Sequence, residues 1–212
     1  MTLKGIDISS NNGKFKPKEF TGDFVINKLT GGTEYVWKKN KLNTCLKHGL
    51  LVGAYHYAHE YNHIGTPKAE AEYFYKHFKK YIGKVIPILD YEVALNGKQI
   101  NYEDIIYIEK FIKHFKKLSG VTCWLYCSKD VIKSNIITDW LKQNVGLWFA
   151  QYADNNITGY QKDPWTDNFK LDMNVIAQQY TSKGIVPGII GTTDLNVFYG
   201  TSKQWLAYAK AK

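Results

Sequence analysis

Eight short apolar runs recur along this chain, at residues 4–9, 24–30, 50–58, 85–91, 121–127, 146–152, 174–180 and 189–198. Runs of this length read as buried strands. Helical patterns lie between several of them. Residues 37–48 set Leu42, Cys45 and Leu46 on one stripe, with Gly49 as the stop. Residues 68–82 space Ala71, Phe74, Phe78 and Tyr81 as a helix face does. Residues 102–118 repeat Ile105, Ile108, Ile112 and Phe115, with Asn101 as N-cap and Gly120 after the end. Residues 129–143 predict a fourth helix, capped by Ser128. Strand alternating with helix predicts an α/β fold, a parallel sheet with helices outside, and eight strands predict closure into a barrel.

The later connections differ. Residues 153–173 are rich in Asn, Asp and Gly and carry no helical stripe, and residues 181–188 are too few for a crossover helix. A parallel pair needs that crossover, whereas an antiparallel pair needs only a turn. The last strands are therefore expected to pair partly antiparallel, giving an irregular TIM-like barrel. Its 212 residues fall below the roughly 250 usual for eight full units, in keeping with missing helices. No repeat, linker or second domain is visible, so residues 1–212 read as one unit.

The fourth run, Val85-Ile86-Pro87-Ile88-Leu89, stops at Asp90-Tyr91-Glu92. Two acids at i and i+2 on a strand share a face, roughly 6–7 Å apart by the rise per residue. At that range each shifts the other's protonation, so one can donate a proton while the other stays charged. Glycosidic bond cleavage needs that pairing. Asp7 lies in the first strand and Asp194 in the last. A closed barrel makes those strands neighbours, so all four acids are expected at one mouth, at the carboxyl ends of the strands. An isolated strand Asp is commonly a satisfied polar residue, and paired acids can also hold Mg²⁺ or Ca²⁺. No phosphate-binding loop accompanies them, so no metal or cofactor is expected.

Tyr55, Tyr57, Tyr126, Trp148, Tyr152 and Tyr180 fall at strand ends, where flat rings with polar tips suit sugars. His56 and His59 read as structural. Cys123 and Cys127, four apart on one expected strand, are too distant to bridge, so free thiols are expected with Cys45. Net charge is +9, from 28 Lys plus Arg against 19 Asp plus Glu, which biases the chain toward anionic partners. No nucleic-acid-binding motif is present. No apolar run reaches the roughly 18 residues of a membrane span, so no membrane insertion is expected. Met1-Thr2-Leu3-Lys4-Gly5 runs straight into the first strand, so no signal peptide is expected.

Seven segments together resemble glycoside hydrolase family 25, the Chalaropsis-type lysozymes or N-acetylmuramidases. They are Gly5-Ile6-Asp7-Ile8-Ser9, Phe24-Val25-Ile26-Asn27-Lys28, Val52-Gly53-Ala54-Tyr55-His56-Tyr57, Pro87-Ile88-Leu89-Asp90-Tyr91-Glu92, Leu147-Trp148-Phe149-Ala150-Gln151-Tyr152, Gln179-Tyr180-Thr181-Ser182 and Asp194-Leu195-Asn196-Val197-Phe198. The resemblance implies a flattened barrel of eight strands and about five helices. It implies hydrolysis of the β-1,4 bond between N-acetylmuramic acid and N-acetylglucosamine in peptidoglycan. Glu92 would be the general acid, and Asp90 would orient the substrate's own acetamido group. Asp7 and Asp194 would complete the acidic cluster. Lys28, Tyr57, Tyr126, Trp148, Gln151 and Tyr180 are the candidate substrate-binding residues. The chain departs from the family at Gly31, where an acid is common, and in the Asn- and Asp-rich segment 153–173.

The resemblance places the protein at the bacterial cell wall, with peptidoglycan and anionic wall polymers as partners. The missing leader fits the catalytic domain of a phage endolysin released through a membrane hole, and fits a trimmed secreted enzyme equally well. The alternative function is a non-catalytic wall-glycan-binding module on the same barrel.

Overall fold

The structure is a computed structural model and describes residues 2–92, 106–133, 137–164 and 171–211. Among the described residues there are nine strands: β1 Leu3–Ile8, β2 Phe24–Gly31, β3 Tyr35–Val36, β4 Leu51–Tyr57, β5 Val85–Asp90, β6 Trp124–Ser128, β7 Gly146–Ala150, β8 Asn174–Gly184 and β9 Thr193–Phe198. Eight of them close a barrel in the order β1-β2-β4-β5-β6-β7-β8-β9 and back to β1. Every neighbouring pair from β1 through β8 is parallel, whereas β9 runs antiparallel to both β8 and β1. The two-residue β3 folds back on the end of β2.

Among the described residues there are six α-helices: α1 Leu42–Lys47, α2 Pro67–Phe78, α3 Tyr107–Ser119, α4 Lys129–Lys133, α5 Asp139–Asn144 and α6 Ser202–Tyr208. Parallel strands are buried on both faces when helices cover the sheet. All six residues of β5 are buried, which explains why it reads as a continuous apolar run. One apolar layer lies outside the strands, where Phe74 of α2 stacks on Phe115 of α3 at 4.9 Å. The other fills the barrel. Helix α6 closes the amino end of the barrel with fully buried Trp205, whose ring lies 4.6 Å from Phe24, 5.3 Å from Trp124 and 5.2 Å from Phe198. The opposite, carboxyl end stays open.

Several local expectations change. The helix expected over 37–48 shortens to α1, because Trp37 N–H bonds back to Leu29 carbonyl oxygen and Asn40 closes a turn on Trp37. The single helix expected over 129–143 is replaced by α4 and α5. The latter starts afresh at Thr138, whose hydroxyl accepts from Leu141 N–H. Ser128 ends β6. Strand 121–127 begins only at Trp124, so Cys123 precedes it, and all three cysteines are buried and free. Asn101 and Ile105 lie outside the described residues. Helix α6 and β3 were not expected.

Candidate active site

The open end of the barrel holds a cavity of about 430 Å³ with the acids in its wall. Asp7 and Asp194 face each other as a pair in the antiparallel β1–β9 ladder. Asp90 is the last residue of β5, and Glu92 follows it two positions on; both line the cavity. The intervening Tyr91 turns the other way, into the outer core. Of the candidate substrate residues, Lys28, Tyr57, Tyr126 and Trp148 line the cavity. Gln151 and Tyr180 are not among the residues lining it. Gln151 caps the strand end through its backbone, giving its N–H to Gln179 carbonyl oxygen at 3.0 Å. Tyr180 follows cavity-lining Gln179 on β8, and the period of two sends it to the outer face, where its hydroxyl accepts from Gln161 N–H at 3.1 Å.

Asp7 is buried, and its Oδ1 accepts hydrogen bonds from Asn196 Nδ2 at 2.8 Å and Gln179 Nε2 at 2.9 Å. Trp148 Nε1 donates to Asn196 Oδ1 at 2.8 Å. The hydroxyls of Tyr126 and Tyr152 donate to Gln179 Oε1 at 2.8 and 2.6 Å. Two amides thus relay three aromatic donors onto one carboxylate oxygen. Asn196 and Gln179 were quoted only as parts of motifs, and Glu60, also in the cavity wall, was missed entirely. Asn196 had a signal, since it stands two residues beyond Asp194 on the same strand face.

Burial raises all four carboxyls, and repulsion from a neighbouring acid adds to it at Asp90, Glu92 and Asp194. Asp7 rises to about 6, chiefly by burial, which the Asn196 and Gln179 hydrogen bonds oppose. Asp194 rises to about 8, by burial and then by the Asp7 charge. Asp90 goes well above the carboxylate range, by burial and then by Glu92, while the Lys28 ammonium opposes the shift. Glu92 rises by burial and by Asp7, again opposed by Lys28. The cluster therefore holds protons at neutral pH. Asp90 Oδ1 is buried and accepts no hydrogen bond among the described residues. A buried acceptor in a cavity wall awaits a donor from a ligand or water.

His56 and His59 are not among the residues lining the cavity. His56 is fully buried between Thr30 Oγ1 and Glu70 Oε2, each at 2.9 Å from a ring nitrogen.

The profile of the family described as Glycosyl hydrolases family 25 matches residues 6–189. The chain belongs to that family. Among curated proteins, the autolytic lysozyme of Clostridium acetobutylicum is 27% identical over 201 residues, which cover 92% of this chain. The chain spans only 56% of that relative's length. An uncharacterized protein of Escherichia coli O157:H7 is 25% identical over 224 residues, covering 98% of this chain and 73% of that protein. The structure of a lysozyme from Streptomyces coelicolor superimposes with a TM-score of 0.79 at 21% identity, covering 98% of this chain and 96% of the other. The endolysin catalytic domain of bacteriophage P40 of Listeria monocytogenes gives 0.72 at 24% identity, covering 100% and 98%. These two likenesses show a shared fold. The family-25 match takes in Asp7, Asp90 and Glu92; Asp194 lies just past its end and joins the site through its pairing with Asp7.

Proposed function

We propose that this chain is a peptidoglycan hydrolase that cleaves the β-1,4 bond between N-acetylmuramic acid and N-acetylglucosamine. The carrying observation is the convergence of Asp7, Asp90, Glu92 and Asp194 on one open cavity of a family-25 barrel. Glu92 is the general acid. It lies less deeply than Asp90, and burial together with the Asp7 charge strengthens its hold on its proton. It delivers that proton to the glycosidic oxygen as the bond to the sugar's C1 breaks. Asp90 Oδ1, unpartnered in the wall, accepts the N–H of the substrate's acetamido group and so turns its carbonyl oxygen toward C1. That oxygen closes on C1. Water then opens the intermediate, giving its proton to the Glu92 carboxylate, so configuration is retained. Substrate-assisted routes of this kind depart from the carboxylate-spacing rule. Asp7 and Asp194 shape the charge around the water, and Lys28, Tyr57, Tyr126 and Trp148 line the sugar path.

The test uses purified Gram-positive walls and mass spectrometry of the new reducing ends. N-acetylmuramic acid ends are expected from the wild type. Glu92→Gln should lower the rate about 10²–10⁴-fold, the usual contribution of a general acid, while wall binding persists and the variant stays folded. N-acetylglucosamine ends, or cleavage of amide bonds alone, would refute the assignment. Equal rates in wild type and variant would remove Glu92 from its role. Wall binding without any cleavage would favour the non-catalytic binding module.

A further inference from the structure

Lys28 reaches the acid cavity from β2, and three groups hold it there. Its Nζ lies 2.5 Å from Glu60 Oε2, 4.7 Å from the Tyr35 ring centroid and 4.5 Å from that of Tyr57. The Lys28 and Glu60 side chains are only 12% and 19% exposed. An ion pair this enclosed is sensitive to loss of either member. Glu60 belongs to the connection between β4 and α2. That loop is bent: His59 and Asn62 take φ of 54° and 60°, a region side chains seldom occupy. It is also fastened, since buried Glu70 of α2 accepts the N–H of His59 at 3.1 Å and of Gly65 at 2.8 Å. Gly31 leaves the room Glu60 needs. A Cβ there would lie 2.4 Å from Glu60 Oε2 and 3.0 Å from Glu60 Cβ. Gly31 is not among the positive-φ glycines, so the missing side chain serves space and not backbone conformation.

We propose that Glu60 is a positioning residue, which fixes the Lys28 ammonium beside Asp90 and Glu92, and that Gly31 is the vacant volume this carboxylate occupies. The catalytic part rests on the glycosidase reading above. The charge balance agrees with it. Burial raises Asp90 and Glu92, the Lys28 ammonium opposes it at both, and Glu60 adds to it at Asp90. The position of that ammonium therefore contributes, after burial and the neighbouring acids, to how readily Asp90 and Glu92 hold their protons.

The experiment compares wild type, Glu60→Ala, Gly31→Asp and the double variant. By ordinary bond lengths an aspartate oxygen lies about 2.4 Å from its own Cβ. Glu60 Oε2 lies 2.4 Å from a Cβ at Gly31, so the double variant returns a carboxylate oxygen to the vacated spot. Two readouts are taken: ¹⁵N NMR of the lysine ammonium groups, and kcat and KM on soluble peptidoglycan fragments. Glu60→Ala, assayed at a temperature where it is folded, should lose the slowly exchanging Lys28 ammonium signal and about tenfold in kcat, with KM within about twofold. The double variant should recover both signal and rate. A Lys28 signal that persists in Glu60→Ala overturns the proposal. A tenfold rise in KM at constant kcat overturns it too, since Glu60 would then be a direct sugar contact. A folded double variant that recovers neither readout does the same. If the wild type releases no muramic acid ends, the glycosidase reading falls, while the ammonium signal alone still decides whether Glu60 holds Lys28.

Discussion

Asp7 Oδ1 takes two amide hydrogens, and the orientation of one amide is forced. The Trp148 indole can only donate, so Asn196 must turn its oxygen to Trp148 and its NH₂ to Asp7. That favours the ionised form of Asp7. Removing the donor should act as a titration shift: Asn196→Ala is expected to raise Asp7 above its value of about 6. If an ionised Asp7 is needed, the acid limb of the pH–rate profile moves to higher pH, with the largest activity loss below about pH 6. A limb that stays in place would separate Asp7 ionisation from the rate. Asp194 makes the opposite kind of prediction. It titrates near 3.8 unfolded and at about 8 folded, so between these the native state keeps a proton that the unfolded chain has released. Stability from this group is intact below the lower value and lost as pH rises toward the upper one. Asp194→Asn removes that loss. Its melting temperature should match wild type near pH 4 and exceed it near pH 8, by about 2–4 °C for each kcal/mol relieved. An equal offset at both pH values would rule this out. The four acids were legible one by one, because strand periodicity and barrel closure place them. The relay through Asn196 and Gln179 was not, since hydrogen-bond direction depends on partners from strands far apart in sequence.

At the scale of elements, α2 does more than cover the sheet. Burial pushes Glu70 up, yet the His56 ring, the Gly65 N–H and the Tyr107 hydroxyl outweigh it, and its carboxyl ends below the usual range. Such a group stabilises the fold above its ordinary value, and that stability is lost as pH falls through the lowered one. Glu70 also ties the loop that carries Glu60. Truncating one member of a buried pair costs about 3–5 kcal/mol, so Glu70→Ala should melt well below wild type at pH 7. Its deficit should shrink as the solution is acidified. Activity should fall by more than the unfolded fraction explains, because the Glu60 loop is released. A variant that keeps full activity at a temperature where it is folded would detach α2 from the site. The helix itself was plain from Ala71, Phe74 and Phe78 at helical spacing; the role of Glu70 was hidden, because a Glu on a helix reads as surface. Helix α6 escaped for a related reason. Its seven residues are too few to show a period, and its one deeply buried anchor, Trp205, acquires meaning only against Phe24, Trp124 and Phe198 from three strands. The split of residues 129–143 into α4 and α5 was equally obscure, as Thr138 is a good N-cap only once the preceding turn is known to end.

For the molecule as a whole, the barrel separates two kinds of charge. The acids gather in the cavity at the carboxyl end. The net charge of the whole chain is nevertheless +9, and Lys28 is the sole lysine in the cavity lining among the described residues. The excess lysines therefore lie outside the site, on a surface many ångströms across. A positive surface attracts an anionic polymer over distances set by screening, about 8 Å at 0.15 M salt and about 3 Å at 1 M. The cavity chemistry is shielded by its walls and responds far less to bulk salt. If the lysines hold the protein on acidic wall polymers, the two effects separate in one experiment. Raising NaCl from about 0.05 to 1 M should weaken sedimentation with intact walls by about tenfold or more, while turnover of short, uncharged soluble glycan fragments changes by less than about twofold. Walls stripped of their anionic polymers should bind the protein weakly at every salt concentration. Salt-independent binding to intact walls would leave the charge with no part in attachment. A parallel loss of turnover on the soluble fragments would place the salt-sensitive interaction inside the cavity, at Lys28 and Glu60.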